Sequence, residues 1–62
     1  MLDAKKALRL IRKLERRARR ASDPDRILAE LAEARRALRN GRHEWAELLI
    51  RDAREELRWS NA

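Results

Sequence analysis

Cysteine is absent from the 62 residues, so a disulfide framework and a thiolate metal site are excluded and nothing indicates a redox compartment. Val, Thr, Gln, Phe and Tyr are missing too, and glycine, proline and histidine occur once each. The only hydroxyl side chains are Ser22 and Ser60, both at helix ends by pattern. With one His and two Ser, catalysis has almost no foothold, and neither a catalytic residue nor a cofactor is expected. No apolar run approaches the ~18 residues of a membrane span, and no signal-peptide h-region is apparent. The reading is of one small domain, 1–62, that carries no address.

What remains is a narrow alphabet. Ala, Leu, Arg and Glu supply 42 of the 62 residues. All are strong helix formers, and they fill even the surface positions where packing does not decide. Charge is uneven within a net +6: residues 1–21 hold nine basic and two acidic side chains, residues 22–41 four of each, and residues 42–62 four and five. The excess therefore sits in the first third, which points to an acidic partner or a polyanion, or else to a solvated face.

That third centres on Lys5–Arg20, where nine of sixteen positions are Lys or Arg and only Glu15 opposes them. Ala4, Ala7, Ile11, Leu14, Ala18 and Ala21 recur at steps of three and four, which marks one apolar face of a helix. The spacing predicts helix 1 over 3–21, with Asp3 at the positive end of the dipole and Arg19 and Arg20 at the other. Met1 and Leu2 read as frayed.

Ser22-Asp23-Pro24-Asp25 is the clearest punctuation: Asp23 or Ser22 can cap, and Pro24 sits where a missing N–H costs nothing. Helix 2 then covers 24–39, with Ile27, Leu28, Leu31, Ala34 and Leu38 inward. Asn40-Gly41 ends it, Gly41 being the residue expected in the left-handed conformation. Helix 3 covers 43–59, with Ala46, Leu49, Ile50, Ala53 and Leu57 inward. Its start is weakly capped, because Arg42 has no acceptor for first-turn amides. Three helices with short connections predict an all-α, up-down-up three-helix bundle. Its large inward aliphatics are Leu8, Ile11, Leu14, Ile27, Leu28, Leu31, Leu38, Leu49, Ile50 and Leu57.

Helix 3 carries more apolar residues than a core can use. Trp45, Leu48, Asp52, Glu55 and Trp59 form a second stripe offset from the inward one, and Leu48 points nearly opposite the core. Trp dominates interface hot spots, although the rings could equally lie over Arg stems at the bundle boundary. Two hands of the bundle are open. One sets Asp52 and Glu56 against the Arg12/Arg19 edge of helix 1, and Lys13 and Arg17 against Glu30. The other sets Asp52 and Glu56 beside Glu30, and Lys13 near Arg54. Avoidance of like charges favours the first, by the small amount that exposed pairs contribute. On that packing Arg9, Arg12, Arg16 and Arg19 join Trp45, Leu48, Asp52 and Trp59 in one composite partner-binding face. Arg35 lies on the inner flank of helix 2, but the antiparallel register sets Glu15 nearer position 30, so no direct Glu15–Arg35 bond is expected. His43 and Glu47 share a face at i, i+4, and without a third ligand they make no metal site.

The SDPD start of helix 2, the Asn40-Gly41 stop, the four-letter alphabet and the short loops together resemble a de novo designed three-helix mini-protein, the format used for small binders. That resemblance implies a stable bundle presenting a helix face to a protein. Gly41-Arg42-His43-Glu44-Trp45-Ala46 is also similar to the turn inside a tetratricopeptide repeat, with Ala46, Ile50 and Ala53 at small-large-small positions. Glu33 and Ala37 depart from that pattern, and a repeat array needs at least three units. The likeness is therefore read as the same hairpin solution and not as membership.

The leading functional expectation is a non-catalytic module, monomeric when unbound, that presents the helix 1/helix 3 face to an acidic, partly apolar protein or peptide. The alternatives are a stable scaffold with no ligand, self-association through Trp45, Leu48 and Trp59, and weak polyanion or nucleic-acid binding through helix 1. The acidic start of helix 3, Glu44 and Glu47, argues against a groove-reading helix-turn-helix.

Overall fold

The computed structural model describes residues 3–60, which form three helices: α1 Ala4–Ala18, α2 Pro24–Arg39 and α3 His43–Ser60. Met1 and Leu2 lie outside the described residues. The fold is the up-down-up all-α bundle expected from the periodicity. Its longest dimension is 32 Å, little more than the ~27 Å of an eighteen-residue helix, so the helices lie side by side.

Asp3 caps α1: its carboxylate accepts the Lys6 amide at 2.8 Å and satisfies a donor the helix leaves unpaired. The helix stops at Ala18, three residues short of the expected end. The Arg20 and Ala21 amides bond back only three residues, to Arg17 and Ala18 carbonyls. That tighter winding turns the chain before Pro24, which bars Asp23 from helical geometry; Asp23 has φ −130° and ψ 73°. Its side chain makes no capping bond, contrary to expectation, so Pro24 at the first helical position carries this start.

The other turn is built as expected and more completely. Gly41 has φ +74°, its amide bonds the Leu38 carbonyl at 3.2 Å, and the Arg42 amide bonds that of Ala37 at 2.8 Å. This paired closure is the Schellman arrangement. Arg42 then begins the next helix, its carbonyl accepting the Ala46 amide at 3.0 Å.

One core joins all three helices: Ala7, Ile11, Leu14 and Ala18 from α1, Ile27, Leu31 and Ala34 from α2, and Leu49, Ile50, Ala53 and Leu57 from α3. The fully buried alanines allow close approach between helices. Each large aliphatic adds about 1.5–3 kcal/mol. Among the described residues no charged or polar side chain is buried. Three positions depart from expectation. Ala4, expected on the apolar face of α1, is exposed. Leu8 is 36% exposed, because it sits one step off the α1 seam, at an open α1/α2 recess with Arg12, Leu38 and Arg39. Ala37, not expected inside, is buried beside Trp45.

Candidate functional site

The hand of the bundle decides what surfaces exist, and it is the reverse of the one favoured by like-charge avoidance. Arg26 Nη2 lies 3.6 Å from Glu56 Oε1, and Glu30 stands among Glu56, Asp52 and Arg26. The Asp52/Glu56 edge of α3 therefore meets α2 and not α1. Exposed charge pairs are worth about 0–1 kcal/mol each, whereas core positions carry several, so packing overrode the charges. The adverse placement leaves a mark: burial pushes the Glu30 carboxyl above its ordinary value. The charges of Glu56 and Asp52 and a hydrogen bond with Glu56 add to that push, against the pull of Arg26.

On the opposite flank of α2, Arg35 Nη2 donates to Glu15 Oε1 at 2.8 Å. This bond was not expected. The reason is direction: helical side chains lean toward their own N-terminus. In an antiparallel pair Arg35 and Glu15 therefore lean toward each other and close the gap that their backbone levels imply. Arg12 shares that recess with Glu15, Arg35 and Arg39, and Arg19 follows two turns along the same strip. Arg9 and Arg16 are exposed on the outer side of α1.

The composite α1/α3 face is accordingly not assembled. Trp45 looks toward α2, sharing a shallow recess with Glu33, Arg36 and Ala37, while Arg12 and Arg19 line the far flank of that same helix. What the structure does bring together is the outer strip of α3. Trp45, Leu48 and Trp59 are 45, 51 and 76% exposed, and exposed Asp52 lies between them. Steps of three, four and seven residues keep all four on one face. Trp59 at that exposure is not boundary packing. Leu48 points outward as its phase predicts, and shares a groove along α3 with Glu44, Glu47 and Arg51. The strip is bordered by charges of both signs, Glu44, Glu47 and Arg51 beside Leu48 and Glu33, Arg36 and Arg42 beside Trp45, and not by the basic residues of α1.

The remaining groove lies between α1 and α3, which run parallel with Ala7 level with Ala46 and Ile50. His43 and Glu47 line its upper end. Carried down the two parallel helices, that register sets Lys13 and Arg17 of α1 level with Arg54 and Arg58 of α3 on the flanks of the seam, and all four are exposed. The sequence places Lys13 near Arg54 on the hand that avoidance of like charges disfavours; it does not by itself bring Arg17 and Arg58 to the same level. Among the described residues no three His, Asp or Glu side chains gather as a metal-binding group, and no helix is long and apolar enough to cross a membrane. Comparison with protein families, curated protein sequences and solved structures finds no match.

Proposed function

We propose that the chain is a non-catalytic protein-binding module whose contact surface is the outer strip of α3, with Leu48 at its centre and Trp45 and Trp59 on either side. One observation carries the reading: three large apolar side chains are left 45–76% exposed on a single rigid helix face. The core does not need them, and such residues are the usual anchors of an interface. The resemblance to designed three-helix mini-proteins supports the same mode, since such binders present a rigid helix face to a groove.

The chemistry of the partner follows from the border. Arg9, Arg12, Arg16 and Arg19 lie away from this strip, so an acidic partner fits them and not α3. Acids and arginines alternate around α3, with Glu44 and Arg51 beside Leu48 and Glu33, Arg36 and Arg42 beside Trp45, so the strip calls for an apolar groove with a rim of mixed charge.

Selection from a displayed library of small proteins tests this. Binders raised against the chain are expected to lose at least tenfold in affinity on Leu48→Glu, which puts an unpaired carboxylate into a desolvated contact, and to be indifferent to Arg12→Glu. Both Trp residues lie on the strip, so intrinsic fluorescence should shift to the blue on binding. Binders that ignore Leu48→Glu in a folded variant would place the surface elsewhere. Sedimentation of the chain alone separates a second copy as the occupant.

A further inference from the structure

Lys13, Arg17, Arg54 and Arg58 form a patch that the α3 strip does not use. Two come from each of two parallel helices, and within each pair the step of four residues advances about 6 Å along the axis. Packed helices lie about 8–10 Å apart, so the four backbone positions fall at the corners of a compact quadrilateral. Among the described residues the cations in ion pairs are Arg26 and Arg35, and none of these four is among them. Exposed Glu55 is on α3 at this level but makes no ion pair with them; Glu47 lies about two turns away, at the upper end. Partly buried Leu10, packed against the core, stands on the α1 side of the groove above them.

Four unpaired cations at close range repel one another in the free protein, and an anion array laid over them relieves that repulsion. Three of the four are Arg, whose planar fork takes two phosphate oxygens at once. The helices hold the charges at fixed spacing, which suits a stiff, uniformly charged ligand better than a disordered acidic peptide that must first order. Among the described residues the seam offers no Asn, Gln or aromatic side chain with which to read or stack a base.

We infer that the α1/α3 seam is a sequence-independent docking surface for the phosphate backbone of a nucleic-acid duplex, held by Lys13, Arg17, Arg54 and Arg58. The binding is electrostatic and weak. Four phosphate contacts predict a slope of log affinity against log salt of roughly −3 to −4.

The test is fluorescence anisotropy of a labelled random-sequence DNA duplex over a salt series. Arg17→Glu/Arg54→Glu should cost at least tenfold in affinity and make the slope shallower by about two. Arg12→Glu/Arg39→Glu changes net charge equally on the α1/α2 side and should cost several-fold less than the seam variant, leaving the salt slope near the parent's. If the reversal variant loses its helical dichroism, Arg17→Gln/Arg54→Gln replaces it, with a slope change of the same sign. Leu48→Ala should leave duplex binding untouched, which separates this surface from the α3 strip. Equal losses for seam and control variants would overturn the proposal, as would sequence-selective binding. Competition by poly-glutamate as effective as that by duplex, at equal ionic strength, would overturn the choice of a phosphate ligand.

Discussion

Arg35 and Glu15 are twenty positions apart in the chain and joined by a 2.8 Å charge-assisted bond across the α1/α2 groove. The pair is neither buried nor free: the Arg side chain is 35% exposed and the Glu 22%. Partial desolvation lifts it above an ordinary surface pair, and about 1–2 kcal/mol is expected. A double-mutant cycle with Arg35→Ala and Glu15→Ala, read by urea unfolding, should return that coupling. A coupling near zero would mean that water already satisfies both groups.

Glu30 supplies a pH dependence. Its pKa is raised above the ordinary 4.5 by burial and by Glu56 and Asp52, so the folded state binds this proton more tightly than the unfolded chain does. Its contribution is fully present below the unfolded value and is lost as pH rises through the folded one. Glu30→Gln should therefore be more stable than the parent at pH 7, and the difference should shrink as pH falls toward 4. Thermal melts at both pH values decide it; an unchanged difference would remove Glu30 as its source.

At Gly41 the strain is conformational alone. An added Cβ would meet nothing within 4 Å, but φ is +74°. Gly41→Ala should thus cost about 1 kcal/mol, and Gly41→Asn less, because Asn tolerates the left-handed region. Equal costs for the two would point to a clash instead of backbone preference.

Adjacent positions on α3 should respond in opposite ways. Leu49 is buried and Leu48 half exposed. Leu49→Ala opens a cavity and should cost roughly 2–5 kcal/mol. Leu48→Glu should stay within about ±0.5 kcal/mol, as a surface change does. Unfolding caused by Leu48→Glu would show that α3 is rotated about its axis from the phase described.

Much of this structure is written in single helices. The inward stripes of α1, α2 and α3, the stop at Gly41 and the outward direction of Leu48 all follow from periodicity and backbone preference, which act within a few residues. The early end of α1 was less legible, because Arg19–Ala21 are fit for a helix and yield only to the geometry of reaching Pro24. The flank of α2 that receives α3 was not legible at all. Each helix specifies its own buried face, yet either hand of the bundle buries those same faces, and the exposed charges that distinguish the hands contribute too little to choose. Packing at positions such as Ala37 and Leu49 belongs to the assembled core. Tertiary structure alone therefore set Glu30 among carboxylates and drew Arg35 onto Glu15. It also separated the arginines of α1 from the tryptophans of α3, and it brought Lys13 and Arg17 against Arg54 and Arg58.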